Sequence, residues 1–125
     1  MSVKASEYLT YRGKGGQWSW MLHRATGLGV LLFLLIHIVD IALIGYGPKV
    51  FNALLFIYRA PVFRLSEVVL VAAVVYHALN GVRIFIIDFW PGTCAYHRKM
   101  MVMVAVMFVV IFVPAAIYML RWTVR

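Results

Sequence analysis

A chain of 125 residues that is 65% hydrophobic and only 13% charged lies far from the soluble averages of roughly 45–50% and ~25%, and with a mean hydropathy of +0.93 it reads as an integral membrane protein. The formal charge of +8 comes from basic residues that flank apolar runs, with no interleaved basic and aromatic face, so it belongs to a membrane surface and not to a nucleic acid. A single cysteine, Cys94, excludes an internal disulfide and a cysteine-held cluster, and the length allows one domain.

In chain order, residues 1–19 form a polar arm carrying Lys4, Arg12 and Lys14 among Gly13, Gly15 and Gly16, without the apolar stretch of a cleavable signal. The first apolar run, residues 20–44, is long enough to cross a hydrocarbon layer and stops at Gly45, Gly47 and Pro48. Residues 48–59 place Phe51, Leu54, Leu55 and Tyr58 at the i, i+3, i+4, i+7 spacing of a short helix lying in the interface. Arg59, Pro61 and Arg64 form the turn back. A second span is predicted over residues 66–90, with Ser66 and Glu67 as its cap and Trp90-Pro91-Gly92 as its end. The third covers residues 98–120, with a kink expected near Pro114. Met100, Met101, Met103 and Met107 read as packing, not as thioether ligands. The fold class is therefore an all-α membrane protein with three transmembrane helices.

Three spans place the two termini on opposite sides. Seven basic residues fall on the N-terminal side (Lys4, Arg12, Lys14, Arg24, Arg83, Arg98, Lys99) and five on the other, a bias towards a cytoplasmic N-terminus. Three helices enclose a cofactor poorly, and intramembrane polar groups should face protein. A partner subunit is therefore expected.

The residues with chemical potential are few. His77 sits in an apolar run, and a neutral imidazole is costly in hydrocarbon but a good iron ligand. Gly81, one turn on, removes a side chain beside His77 and would admit something flat. His77 is read as an axial haem ligand. His23 and Arg24 enter the first span together and suit an anion or a carbonyl at the membrane surface, a haem propionate or a quinone oxygen. Their alternative is snorkelling to the interface. Ser19, Trp20 and Thr26 supply further hydrogen bonds or a stacking wall.

His37, 14 residues beyond His23, lies near the same face and ~21 Å deeper. Asp40 is expected to take one of its ring N–H groups and leave the other nitrogen for a metal. If Arg24 and the stretch from Arg83 to Asp88 mark one membrane face, His37 is ~20 Å below it and His77 ~9–16 Å below. A difference of ~4–11 Å disfavours one haem shared by the two histidines and favours two haems, each completed by a partner.

Two motifs carry a family resemblance. His23-Arg24-Ala25-Thr26-Gly27 opens the first span, and His77-x-x-x-Gly81-Val82-Arg83, followed by Asp88, closes the second. The chain resembles the cytochrome b membrane-anchor C subunits of succinate dehydrogenase (respiratory complex II) and the related fumarate reductase anchors. The resemblance implies haem b, one or two, shared with a second hydrophobic anchor subunit (D), so that this chain is half of a heterodimeric haem-binding bundle. By that resemblance His77 is the haem iron ligand, and His37 is either the ligand of a second haem or, in a one-haem enzyme, a structural residue. His23, Arg24, Arg83 and Gly81 border the cofactor, and Ser19, Trp20 and Arg24 contact the quinone. The family's serine three residues before the His-Arg pair is here Trp20, with Ser19 adjacent.

The implied role is that of a subunit in a bacterial or archaeal-type cytoplasmic membrane that does no succinate chemistry itself. It would dock an FAD flavoprotein and an iron–sulfur subunit, hold haem, and contribute to quinone reduction. A haem-free anchor, or a small b-type cytochrome outside complex II, are the alternatives.

Overall fold

In the computed structural model the described residues are 15–121, which leaves most of the basic arm, Lys4, Arg12 and Lys14 included, outside them. Among the described residues four helices follow one another: α1 (Gly15–Leu43), α2 (Pro48–Tyr58), α3 (Pro61–Phe89) and α4 (His97–Arg121). Short 3-10 segments at Ile44–Tyr46 and Pro91–Tyr96 lead into α2 and α4. The stretches built on α1, α3 and α4 are each long and apolar enough to cross a membrane. At ~1.5 Å per residue the 29 residues of α1 span ~43 Å.

Local chemistry sets the boundaries. Gly47, at φ +99°, is in a backbone region that L side chains rarely adopt. Its carbonyl accepts the Phe51 N–H at 3.3 Å as Pro48 opens α2. α3 begins at Pro61, five residues before the predicted start. Ala60 is extended (φ −63°, ψ 139°), its carbonyl accepts from Phe63 at 3.0 Å, and proline fits the first helical position. Ser66 therefore does not cap a helix; its hydroxyl donates back to the Val62 carbonyl at 2.9 Å. The turn back consists of Arg59 and Ala60, while Pro61 and Arg64 are already helical. Gly15 and Gly16, placed in the arm by the sequence, are helical, so α1 starts five residues earlier than expected.

α1 and α3 run antiparallel, and α4 packs along α3, where the Tyr76 and Phe108 rings meet edge to face at 6.2 Å. Most large apolar side chains face outward, and among the described residues only Ser19, Asn80, Arg83 and Val104 are buried. This inverts a water-soluble core. In lipid, apolar side chains gain nothing by leaving the surface, and the interior is where polar groups find partners.

Candidate functional site

Two polar layers lie in the half of the bundle that contains the start of α1. The first is centred on His77. Its ring stacks on that of His23 with centroids 4.1 Å apart and planes 5° from parallel. His77 Nδ1 lies 3.1 Å from the His23 carbonyl oxygen and 3.4 Å from the Thr26 hydroxyl. A carbonyl only accepts, so in the neutral ring Nδ1 carries the hydrogen and Nε2 the lone pair. That is the tautomer a metal-ligating histidine needs, and the backbone oxygen that accepts from Nδ1 fixes it. Thr26 turns its hydroxyl back to the Leu22 and His23 carbonyls at 2.7 and 3.0 Å.

Glycine makes this layer possible, though not as the sequence suggested. A Cβ on Gly27 would come within 2.9 Å of His77 Cε1, whereas one on Gly81 would meet His23 Cε1 at 3.5 Å. The room beside His77 is thus made by Gly27 on the facing helix, and the room at Gly81 accommodates His23.

The second layer, one to two turns nearer the start of α1, is organised around Arg83. Its Nη1 donates to Ser19 Oγ at 3.1 Å and Asn80 Oδ1 at 2.8 Å, and its Nη2 donates to His97 Nδ1 at 2.7 Å. Ser19 donates to Asn80 Oδ1 at 2.9 Å, and the Tyr76 hydroxyl donates to the Ser19 carbonyl at 3.3 Å. Residues from α1, α3 and the start of α4 are thereby tied to one guanidinium. Asn80 and Arg83 are 1% and 6% exposed. Asn80, Tyr76 and His97 were absent from the sequence expectations. Asn80 did carry a signal, being an amide in an apolar run three residues from both His77 and Arg83. His97 carried none, because only the turn after α3 returns it to Arg83.

Other expected residues are distributed differently. Arg24 is exposed and lies over the Trp20 ring at 4.2 Å, on a different face of α1 from buried Ser19. The Ser19, Trp20 and Arg24 trio is therefore split. Since His23 is level with His77, Arg24 is level with His77 and not with Arg83, which corrects the premise of the depth estimate. His37, 14 residues beyond His23, is then separated from His77 by ~21 Å along the helices instead of ~4–11 Å. Asp88 is exposed near the end of α3.

At that far end His37 is exposed and packs against Phe33 with ring centroids 5.3 Å apart. The expected His37–Asp40 bond is not among those of the described residues; Asp40 instead accepts from the Tyr58 hydroxyl at 2.7 Å and so ties α2 to α1. His37, Asp40, Tyr58, Ser66 and Glu67 line a groove of about 560 Å³. The bond to Asp40, partial desolvation and the carboxylate charge together raise the Tyr58 pKa above the ordinary phenol value. Because the folded value is raised, the stabilisation is complete below the usual phenol pKa of ~10 and is lost as pH rises through the raised value. Tyr58→Phe should cost about 1 kcal/mol in thermal melts at neutral pH, and a phenolate absorbance titration should show one tyrosine ionising later than the rest.

Three antiparallel spans with an apolar exterior and a buried polar layer of Ser19, Asn80 and Arg83 define a polytopic membrane protein. Residues 5–114 match the succinate dehydrogenase/fumarate reductase transmembrane subunit family. The chain is 42% identical over 107 residues to the succinate dehydrogenase 2 membrane subunit SdhC of Mycobacterium tuberculosis, a match covering 86% of this chain and 79% of that one. It is 33% identical over 85 residues to the succinate dehydrogenase hydrophobic membrane anchor subunit of Halobacterium salinarum, covering 67% and 65% respectively. The chain belongs to this family. It is a multi-pass membrane anchor subunit of succinate dehydrogenase/fumarate reductase, an oxidoreductase complex.

Proposed function

We propose that this subunit holds haem b on His77, contributes to a quinone-reduction site, and docks an FAD flavoprotein and an iron–sulfur subunit to a cytoplasmic membrane, its N-terminal end on the cytoplasmic side. The carrying observation is the His77 ring, whose Nδ1 is held by the His23 carbonyl so that Nε2 is left with its lone pair. Bound there, haem b would supply reversible one-electron chemistry. This chain would provide one ligand and a second hydrophobic anchor subunit (D) another. His37 lacks an equivalent hold on its ring, since Tyr58 has taken Asp40. The reading accordingly places the haem at His77 and treats His37 as a separate position, available to a second haem only with a partner's help.

Quinone chemistry is assigned to the Trp20 and Arg24 face. Arg24 is preoriented over the indole and would stabilise negative charge growing on a quinone oxygen. Ser19 is turned inward towards Asn80 and Arg83, so its contribution is to the interior layer. Succinate itself is left to the flavoprotein. In the purified complex Arg24→Ala should lower succinate:quinone reductase activity on the order of 10²-fold, with succinate oxidation by an artificial acceptor preserved. Equal loss of both activities would indicate failed assembly and refute a quinone role for this residue.

A further inference from the structure

The chain carries four acidic side chains against twelve Lys and Arg. Two of the four, Asp40 and Glu67, line the same groove at the far end of α1 and α3, and no Lys or Arg lines it. Asp40 has the Tyr58 hydroxyl at 2.7 Å. The Glu67 carboxylate makes no hydrogen bond or ion pair among the described residues. Even Arg64, one turn away on α3 at a spacing suited to pairing, does not reach it. Glu67 is six residues, ~9 Å, inside the first residue of α3, a helix of 29 residues and ~43 Å. A hydrocarbon layer of ~30 Å centred on that helix therefore takes in Glu67. A carboxylate held there without a partner is expensive.

We infer that this groove seats a transmembrane helix of the second hydrophobic anchor subunit, which sets a Lys or Arg side chain against Glu67. The inference rests on the partner proposed above and gives it a position on this chain. Charge selects the occupant. Two carboxylates without a cation disfavour any anionic group, and an acyl chain would leave Glu67 unpaired. A zwitterionic lipid is set the wrong way round: its ammonium lies level with its phosphate or outside it, whereas Glu67 is ~4.5 Å deeper than Arg64. A Lys or Arg on a partner helix meets both demands. Its apolar stem matches groove walls such as Phe33, Ile36 and Leu70, and its head supplies the missing charge.

The test uses the purified complex, tagged on this chain, as wild type, Glu67→Gln and Glu67→Lys. After dilution into detergent, the second hydrophobic subunit remaining on the tagged chain is followed over time by size-exclusion chromatography. Haem and bound lipid are quantified in the same fractions. Glu67→Gln should release that subunit roughly tenfold faster than wild type, and Glu67→Lys faster still. Each Lys or Arg in the partner's spans is then changed to Glu. One such change should by itself speed release, and combined with Glu67→Lys it should restore slow release. If Glu67→Lys fails to insert, the same partner position is changed to Gln and combined with Glu67→Gln, where the two losses should not add. Release at the wild-type rate in both Glu67 variants overturns the contact, as does a full set of partner changes that neither restores slow release nor shows this non-additivity. Loss of haem or lipid from Glu67→Gln with the subunit retained also overturns it, and gives the groove a different occupant. A wild-type complex without a second hydrophobic subunit would refute the proposed partner itself, whereas unchanged release in the variants refutes the contact alone.

Discussion

His77→Ala is expected to remove the b-type absorbance of the haem assigned to it while the three-span anchor still inserts. The ring's contacts are local: the stack on His23, the carbonyl that orients Nδ1, and the edge against Gly27. Its loss leaves the interhelical bonds of Ser19, Asn80, Arg83 and His97 in place, and these tie α1, α3 and α4 together. Assembly should therefore survive, and haem content is the readout. No other histidine in the chain can take over. His23 is the stacking partner, with its own Nδ1 buried and unpaired, His97 has its Nδ1 engaged by Arg83 at 2.7 Å, and His37 is ~21 Å away. Reduced-minus-oxidised spectra and a pyridine haemochrome assay should show one haem fewer per complex in His77→Ala and no change in His37→Leu. Loss of haem in both would mean that His37 holds a second one. A full bis-histidine spectrum in His77→Ala would overturn the assignment of the ligand.

How much of this was legible in the sequence follows from the range of each signal. Hydropathy acts over a whole span, so three transmembrane helices and the α2 segment could be read directly. Boundaries depend on single residues that compete. Ser66 and Glu67 looked like a cap, but Pro61 is equally well suited to a helix start and comes first. The two motifs drew attention to His23, Gly27, His77, Gly81 and Arg83, which the structure sets in two adjoining layers. Their pairing across the bundle was invisible, because it depends on the register between α1 and α3. The depth estimate assumed Arg24 opposite Arg83, whereas the structure sets Ser19 opposite Arg83 and His23 opposite His77. A shift of about one and a half turns moved every vertical comparison, and it turned a marginal separation of His37 from His77 into a large one. Local reasoning failed similarly at Asp40. At i+3 it was the natural partner for His37, but the tyrosine 18 residues on reaches it at 2.7 Å.

Gly27→Ala should be the most damaging single methyl in the protein. Alanine in place of glycine within a helix ordinarily stabilises it by about 0.5–1 kcal/mol, and Gly29, where an added Cβ meets nothing within 4 Å, should follow that rule. At Gly27 the same methyl would stand 2.9 Å from His77 Cε1 and 3.4 Å from Nδ1. The imidazole cannot retreat freely, because the His23 ring covers one face and the His23 carbonyl holds Nδ1. Overpacking of this kind costs roughly 1–3 kcal/mol. Here the cost falls on the orientation of the proposed ligand, so haem retention should weaken by roughly 10- to 100-fold. Haem dissociation from the purified complex measures this directly, with Gly29→Ala as the control for helix propensity and membrane insertion. Equal retention in the two variants would mean that His77 tolerates displacement, and the contact with Gly27 would then have no part in holding the ligand. A selective loss at Gly27 would tie the glycine of the first motif to the histidine of the second, from one helix to the other.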